Sequence, residues 1–328
     1  MELKRLELFA LVADLGSLSK AAAAADTTQP HVSRQIARLE ARWGDRLFER
    51  TGRGVALTDF GRRVEPEVRL LLAQARQLAA AVENVSGVPS GTVDLGVVPS
   101  VASRLLPRLL GDLREKAPRV RLRFSEDFTG TLEERLASGH LDMVVMNRYG
   151  EAPRTGEDVL GFVDTLLIGR PNDPRVKGQI VQFRHLAGLP LVLPPMPNGL
   201  RTLLDRQARQ YGFKVQVELE VNNLATMMNV AASGEAFTLA PEIALGGQAS
   251  AGPVGAWRLR NPGIRRSISL KLSTHHPLSN AARLVALRVR ALTSELLSNR
   301  SARASAASVE QMRAGARPAD RLGVLSNP

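Results

Sequence analysis

A cluster of polar and basic side chains lies near the start of the chain, between residues 29 and 43. The members that could share one face of a helix are His31, Arg34, Gln35, Arg38 and Arg42. Glutamine and arginine can each form two hydrogen bonds with one base edge, and arginine also binds phosphate oxygens. This cluster therefore predicts contacts with double-stranded DNA.

A helix over residues 29–43 would carry this face. Pro30 falls in its first turn, where a missing amide costs no intrahelical hydrogen bond. A shorter helix over 18–25, which Ser17 can cap, and a turn over 26–28, whose Thr28 hydroxyl can cap the longer helix, precede it. Apolar residues recur at steps of four, three and four and would form a small core, namely Val32, Ile36, Leu39 and Trp43. A short helix, a tight turn and a polar second helix form the arrangement that enters a major groove.

Residues 47–57 predict a small hairpin after this helix. Strands over 47–50 and 55–57 flank a glycine turn, and such a wing would bring Arg50 and Arg53 to the DNA backbone or minor groove. Residues 34–63 contain eight basic and four acidic side chains, and a local net charge of +4 suits phosphates. A solvated surface face is the competing interpretation of any charged helix. The neighbouring hairpin favours DNA binding here.

These segments together resemble the winged helix-turn-helix of LysR-type transcriptional regulators. The resemblance rests on Ala21-Ala22, the run from Gln29 to Ile36, Leu39-Glu40, Gly44, the run from Leu47 to Arg50, and Leu57-Thr58. It implies that the residues at the DNA include Gln29, Pro30, His31, Ser33, Arg34 and Gln35, with Arg50 and Arg53 on the wing. It also implies RNA polymerase as a partner.

Some head positions depart from the usual pattern of this family. Trp43 stands where leucine is usual, and Ala25 and Thr27 stand where larger aliphatic residues are usual. We therefore expect a head core repacked around the indole of Trp43. His31 replaces a small residue, so the base preference is expected to differ.

The composition limits the remaining possibilities. A chain of 328 residues is long enough for two or three domains, and a net charge of +12 favours a polyanionic partner. Without cysteine, disulfides, thiolate zinc sites and cysteine nucleophiles are excluded. None of the motifs GxSxG, GxxxxGK[ST], HExxH or GxGxxG occurs, so we predict no catalytic residues, no metal site and no cofactor. The charged N-terminus and the lack of long apolar runs predict a cytoplasmic protein without a membrane partner.

Residues 59–88 predict a linker helix after the head. Its apolar stripe has helical spacing and contains Val64, Val68, Leu71, Leu72, Ala75, Leu78, Ala79 and Val82, and Pro66 can kink it. The stripe could pack within its own chain. We favour pairing with the same helix of a second copy, since a small head offers it little cover, and the family resemblance implies the same dimer or a tetramer.

Residues 90–298 alternate strand and helix patterns in a way that predicts an α/β body. The first unit reads βαβαβ over residues 92–146, which implies a parallel sheet, and a similar pattern follows over 166–240. We expect two lobes, about 90–162 with 266–298, and 163–265. The body resembles the two-lobed, periplasmic-binding-protein-like effector domain of LysR-type regulators through 90–96, 136–142 and the proline after Leu239-Ala240. Residues 53–55 and 84–85 also resemble the nitrogen assimilation control subgroup, whereas Glu235-Ala236-Phe237 departs from the family's glycine-rich turn.

Several residues of the body follow strands or open helices, at the edge where α/β proteins bind ligands. Helix N-termini bind anions through free amides, although each of these residues could serve only as a cap or a turn. The predicted effector contacts are Ser100, Thr129, Gly130, Asn147, Pro197, Asn198 and Gly199. A small organic anion is therefore the expected effector.

Residues 299–328 are rich in alanine, serine and arginine and predict a disordered tail. Its net charge of +3 would add nonspecific attraction to DNA. Taken together, the sequence predicts an α/β protein with an all-α winged helix-turn-helix domain over 1–58, acting as a sequence-specific regulator controlled by a small molecule. The alternatives are a two-lobed solute-binding protein with a degenerate head, and a regulator controlled by its abundance alone.

Overall fold

The N-terminal head folds as three helices and a two-stranded hairpin. The computed structural model describes residues 2–52, 54–83, 89–150, 154–245, 253–274 and 277–315. The head elements are α1 (Glu2–Leu15), α2 (Leu18–Ala24), α3 (Gln29–Trp43), β1 (Phe48–Thr51) and β2 (Gly54–Leu57). The strands β1 and β2 are antiparallel, so the predicted winged helix-turn-helix fold is confirmed.

The core of the head forms around Phe9, which is fully buried. Its ring centroid lies 6.4 Å from that of Trp43, in an edge-to-face arrangement, and 5.4 Å from that of Phe48. Such aromatic contacts stabilise a core beyond the area they bury. Phe9 of α1 thus contacts α3 through Trp43 and the wing through Phe48.

The two predicted helix caps have different outcomes. The Ser17 hydroxyl accepts a hydrogen bond from the Lys20 amide at 3.3 Å, as predicted. The prediction that the Thr28 hydroxyl caps α3 is wrong, because that side chain forms no capping hydrogen bond. The amides of His31 and Val32 donate to the Thr28 carbonyl instead, at 3.0 and 3.1 Å. The first turn of α3 therefore closes through backbone groups.

A single long helix, α4 (Asp59–Glu83), leaves the head, with Pro66 inside it. The first half of the body contains β3 (Gly91–Val97), α5 (Pro99–Lys116), β4 (Val120–Glu126), α6 (Thr129–Ala137), β5 (Met143–Tyr149) and β6 (Glu157–Gly169). Strand β3 lies between β4 and β5 and is parallel to both, which confirms the predicted parallel unit.

The second half of the body contains the predicted strands and helices together with two short strands that the sequence pattern did not predict. The elements are β7 (Ile180–Gln182), β8 (Pro190–Leu193), α7 (Gly199–Gln210), β9 (Gln216–Glu220), α8 (Leu224–Ser233), β10 (Thr238–Pro241), β11 (Gly255–Arg260) and β12 (Ile264–Leu272), with 3₁₀ turns at Phe183–Gly188 and Glu242–Ala244. Strands β8 and β9 form a separate parallel pair. Strand β7 has only three residues, too few to show a period, whereas β11 does alternate apolar and arginine side chains from Trp257 to Arg260 and was missed at the sequence level.

One mixed sheet runs through both halves of the body, in the order β4-β3-β5-β12-β6-β11-β7. Strand β12 is antiparallel to β5 on one side and to β6 on the other. The far end of β6 pairs with β10 and β11. The predicted lobe boundaries at 162–163 and 265–266 fall inside β6 and β12, so these two strands connect the lobes.

The closing helix, α9 (Asn280–Gly315), packs against α5. Arg288 donates two hydrogen bonds of 2.5 Å to Asp112 across this contact. The helix extends beyond its predicted end, so the predicted disordered tail does not begin at residue 299. Alanine is the strongest helix former, which accounts for this continuation, and residues 316–328 lie outside the described residues. Among the described helices, none combines the length and apolar character needed to cross a membrane.

The wing is fixed to the turn between α1 and α2 by a close backbone approach. Gly54 has φ +145°, and a Cβ atom built there would lie 2.3 Å from the Gly16 carbonyl oxygen. The Val55 amide donates to that same oxygen at 2.9 Å. Only glycine fits this position without moving the backbone.

We expect Gly54→Ala to loosen the wing, because the new Cβ would add strain of about 1–3 kcal/mol. Hydrogen exchange at the Val55 amide should accelerate about tenfold or more, since ~1.4 kcal/mol corresponds to a factor of ten. Gly52→Ala is the matched control, because nothing lies within 4 Å of its Cβ position. Equal exchange rates in the two variants would contradict this account.

Candidate DNA-binding interface and ligand cleft

The polar face of α3 is open to solvent in this structure. Its exposed residues from the predicted DNA-contact set are Gln29, Pro30, Ser33, Arg34 and Arg38, whereas His31 and Gln35 are partly buried. The opposite face buries Val32, Ile36 and Leu39 in the head. Gly44, with φ +79°, ends the helix in a left-handed conformation. The helix is thus held by its apolar side, and its polar side is left for a partner.

Two of the predicted DNA contacts are held by neighbouring side chains. The Nε of Arg5 in α1 donates to Oε1 of Gln35 at 3.0 Å, and Nε2 of Gln35 lies 3.5 Å from Nε2 of His31. These contacts orient Gln35 and His31 before any DNA binds. Arg5 was missed at the sequence level, because only the packing of α1 across α3 brings it to this face.

The wing lies beside α3 because a carboxylate joins them. Oε1 of Glu40 accepts hydrogen bonds from the Leu47 amide at 2.8 Å and from the Phe48 amide at 3.4 Å. Arg50 is exposed on β1, while Arg53 lies outside the described residues. Arg50 therefore lies exposed on the wing, which the Glu40 hydrogen bonds hold beside α3.

All seven predicted effector contacts line one cavity of about 340 Å³ between the two halves of the body. They are Ser100, Thr129, Gly130, Asn147, Pro197, Asn198 and Gly199. Four arginines that the sequence analysis missed also line it, namely Arg148, Arg154, Arg206 and Arg266, with Glu133. The sequence feature that could have identified Arg266 as a cavity residue is its position as a charged side chain within an otherwise apolar strand.

The helix N-termini at the cavity are not equivalent. The residues preceding α5 and α6 make no side-chain capping hydrogen bond. Asn198 caps α7, accepting from the amides of Leu200 and Arg201 at 3.0 and 3.3 Å. Free amides at a helix N-terminus attract anions. The N-terminus of α6 is therefore better placed to bind an anion than that of α7. Helix α5 offers fewer free amides, because Pro99 has no amide hydrogen and the amides of Val101 and Ala102 donate to the Val98 carbonyl.

Two hydroxyl groups at these helix starts also differ. The Thr129 hydroxyl lies 3.2 Å from the Asn147 carbonyl and 3.3 Å from the Asn147 amide, so it links α6 to β5. The Ser100 hydroxyl is buried and has no hydrogen-bond partner among the described residues. Burying such a group without a partner is unfavourable. The Ser100 hydroxyl, which lines the cavity, could therefore form a hydrogen bond with a ligand there.

Arg148 is neutralised by its own surroundings. It donates to both carboxylate oxygens of Glu133 and, at 2.6 Å, to Oε1 of Glu157. Burial alone would lower the pKa of Arg148, but these two carboxylates outweigh burial and raise it. Glu133 and Glu157 therefore leave Arg148 little charge to offer a ligand.

Arg266 has a different environment. Only 5% of the residue is exposed, and its guanidinium carbon lies 4.9 Å from the centre of the Tyr149 ring. Burial lowers the pKa of Arg266 and raises that of Tyr149, and among the described residues no carboxylate shifts the pKa of either group. Tyr149 also meets the start of α7, because a Cβ on Gly199 would lie 3.3 Å from its ring. The two halves of the body thus meet beside a buried cation.

A cluster of charges joins the head and linker helix to the body. Nη2 of Arg69 in α4 donates to Asp14 in α1 and to Glu65 in α4, at 2.7 Å each. Nε2 of His140 in the body lies 3.1 Å from Glu65 and 3.5 Å from Asp14. Burial lowers the pKa of His140, but hydrogen bonds to Asp14 and Glu65 outweigh it and raise the pKa above 6.5. The cluster is neutral only when His140 carries a proton.

Metal binding finds no support among the described residues, since they contain no group of three or more histidine, cysteine, aspartate or glutamate side chains that could hold an ion. His275 and His276, the one adjacent pair among the five histidines of the sequence, lie outside the described residues.

Comparison with known proteins gives consistent matches over both parts of the chain. The family model for "Bacterial regulatory helix-turn-helix protein, lysR family" matches residues 3–62, and the model for "LysR substrate binding domain" matches residues 86–293. The nitrogen assimilation regulatory protein nac of Escherichia coli is 31% identical over 288 residues, which cover 87% of this chain and 93% of that protein.

Two solved structures share the fold. A full-length OxyR variant from Pseudomonas aeruginosa has a TM-score of 0.65 at 20% identity and covers 91% of this chain and 96% of its own. CbnR in complex with its target DNA has a TM-score of 0.62 at 18% identity and covers 89% of this chain and all of its own, 100%. Both confirm the fold, from the helical head to the two-lobed body.

The charge cluster predicts that the head is held to the body in a pH-dependent manner. Because the pKa of His140 is raised, its contribution is present below pH 6.5 and is lost as the pH rises through the folded value. Hydrogen bonds with His140 and Arg69 lower the pKa of Glu65, and, against the opposing effect of burial, that of Asp14. Their contributions are lost only as the pH falls through values below 4.5 and 3.8.

Two introduced cysteines can report this contact, since the chain has none of its own. Lys20→Cys in the head and Arg119→Cys in the body are exposed positions for a fluorescence energy-transfer pair. We expect transfer efficiency to change as the pH rises above the pKa of His140, in protein diluted with unlabelled copies. His140→Gln should flatten the profile, and an unchanged profile in that variant would exclude His140 as the titrating group.

Proposed function

The chain belongs to the LysR family of bacterial transcriptional regulators, and we propose that it binds promoter DNA through α3 and the wing. We also propose that it responds to a small organic anion bound between its lobes. The observation that carries the DNA-binding part is the open polar face of α3. It combines hydrogen-bonding and arginine side chains on a helix whose other face is buried. Such a helix suits base and phosphate contacts in a major groove.

The linker helix supports self-association. Leu71 and Leu78 in α4 are 45% and 68% exposed in a single chain, which is unfavourable for large apolar side chains. A second copy of α4 would cover them, as an antiparallel pair. We propose a dimer or a dimer of dimers that places its heads in successive major grooves, with RNA polymerase as a further partner.

The cleft supports an anionic effector. Four arginines and one glutamate line it, and the N-termini of α5 and α6 reach it without side-chain caps. A volume of about 340 Å³ is at the small end of ligand pockets in proteins. Binding between lobes that share a sheet would favour one lobe angle over others and so alter the spacing of the heads.

The test is a footprint of the purified protein on its own upstream region, with excess nonspecific duplex and with fractionated metabolite pools. We expect a protected interrupted palindrome over several helical turns that changes with at least one pool. A footprint indifferent to every pool would favour a regulator controlled by abundance. A missing footprint would favour a two-lobed solute-binding protein instead.

Arg50→Ala should weaken binding to all duplexes alike, because a wing arginine contacts the backbone and carries no base information. Titrations over a salt series should give a slope reduced by about one, the value for one lost phosphate contact. Arg209→Ala, at an exposed arginine on the body, is the control and should leave the slope unchanged. An Arg50→Ala protein with unchanged affinity would show that the wing does not touch DNA.

Gln29→Ala and Ser33→Ala should relax base preference, because both side chains lie exposed on the helix proposed to enter the groove. Selection from randomised duplexes should give a less specific consensus than the unchanged protein, with a cost of about 1–3 kcal/mol at the affected base pair. Affinity for nonspecific DNA should stay the same. An unchanged consensus in both variants would contradict the placement of α3 in the groove.

A further inference from the structure

One face of the body sheet is open to solvent where β6 changes from pairing with β12 to pairing with β11. Phe162 and Asp164 of β6 are exposed on this face. Leu166 and Ile168, further along the same face, are buried in contact with α8. Alternate residues of a strand point to one side, so these four side chains share a face. Helix α8 therefore covers only one end of it.

Three arginines lie on the same face. Arg265 of β12 is opposite Asp164, and Arg258 of β11 is opposite Leu166. Arg260 follows Arg258 by two residues and so shares its side of the strand. All three arginines are exposed, and none forms a side-chain hydrogen bond or an ion pair with another described residue. Asp164 by itself cannot balance three positive charges, so this part of the face is basic.

Two large apolar side chains lie among these arginines. Phe162 is 54% exposed, and Ile180, which is opposite Arg258 in β7, is 53% exposed. The guanidinium carbon of Arg265 lies 4.9 Å from the centre of the Phe162 ring, and this contact orients both side chains. Aromatic residues and arginine are enriched in surfaces that bind other proteins and contribute much of the binding energy there.

We propose that Phe162, Ile180, Arg258, Arg260 and Arg265, which we call the Phe162 surface, bind a short acidic segment of another protein that carries a large apolar side chain. The carboxylates of such a segment would pair with the arginines, and its apolar side chain would cover the exposed ring. The surface spans four strands, roughly 14 Å, and extends about 13 Å along β6. This area suits one short segment and weak binding, not the docking of a whole domain. The inference goes beyond DNA and effector binding and requires neither.

Other occupants match the Phe162 surface less well. A second copy bound face to face would bring two sets of three arginines together. Residues 316–328 of this chain contain two arginines and one aspartate, so they do not supply an acidic segment. DNA phosphates could pair with the arginines but would leave Phe162 and Ile180 uncovered. An acidic protein segment satisfies both the charges and the apolar side chains.

The position of the Phe162 surface allows one bound segment to contact both halves of the body. Phe162 and Arg265 lie on the two strands that connect the halves, whereas Arg258 and Ile180 lie on β11 and β7 at the far end of the sheet. A partner that spans both parts would bind one angle between the halves better than others. Binding would then shift the body toward that angle.

Selection from a displayed library of short random peptides tests this proposal with the full-length protein. Excess nonspecific duplex is present throughout to occupy the basic face of α3. Peptides that bind the unchanged protein are counter-selected against the double variant Phe162→Ser/Arg258→Gln. We expect the enriched peptides to combine several acidic residues with a large apolar one. Enrichment without acidic residues, or no enrichment, would overturn the proposal.

Defined peptides then separate the charged contacts from the apolar ones. A labelled peptide of alternating aspartate and leucine is compared by fluorescence anisotropy with two others, in which asparagine replaces aspartate or serine replaces leucine. We expect each replacement to weaken binding about tenfold, because several exposed ion pairs or the apolar contact are lost. Added salt should weaken binding of the aspartate peptide. Equal binding of the aspartate and asparagine peptides would contradict the proposed role of the arginines.

Single variants assign the binding to the named residues. Arg258→Gln and Phe162→Ser should each weaken binding of the aspartate-leucine peptide about threefold or more. Arg209→Gln and Leu287→Ser are the matched controls, at an exposed arginine of α7 and at a leucine of α9 that is 56% exposed, and should bind normally. None of the four should change the promoter footprint. Unchanged peptide binding by both test variants would overturn the assignment. A loss of DNA affinity in these variants without any loss of peptide binding would mean that the surface contacts nucleic acid instead.

Discussion

The antiparallel pairing of β6 with β12 is the constraint on which the body depends. Strand β12 joins β6 to β5, and the remainder of β6 pairs with β10 and β11 in the other half. The two halves are therefore joined by backbone hydrogen bonds between strands and not by a flexible linker. A register shift near Ile268 and a glycine at residue 161 adapt this pair to Leu297 of α9, which lies 2.7 Å from the Cβ position of that glycine. A change in the angle between the halves must therefore bend or twist β6 and β12.

The buried and partly buried arginines of this molecule differ in whether acidic side chains balance their charge. Arg148 is held by two carboxylates, and the contact between the head and the body combines Asp14, Glu65, Arg69 and His140. Arg266 is also buried, at 5% exposed against 8% for Arg148, and no carboxylate among the described residues shifts its pKa. A paired buried charge is compensated within the structure, whereas a buried charge without an acidic partner is costly. The body thus combines balanced contacts with one unbalanced site at the cleft.

The head is rigid where it meets its own chain and open where it would meet DNA. Glu40 ties the wing to α3, the Phe9 cluster ties α3 to α1, and Gly54 lets the wing approach Gly16 closely. The outward face of α3 has few internal bonds beyond those from Arg5 to Gln35 and on to His31. A rigid scaffold with an unoccupied polar face can bind a groove without reorganising, which limits the entropy lost on binding.

Local patterns in the sequence were sufficient for the head and for the first parallel unit of the body. The spacing of Val32, Ile36, Leu39 and Trp43 predicted α3 with its observed limits, because a helix face is encoded by residues three and four apart. The seven predicted effector contacts also line one cavity, since strand ends and helix starts of an α/β unit meet at one edge. Arg266, Arg148, Tyr149 and Arg5 were not predicted, and neither were β7, β11 and most of β6. Their roles depend on neighbours that are far away in sequence. Whether a buried arginine has an acidic partner is decided only when the strands have paired, because electrostatic energy depends on distance in space and on exclusion of water.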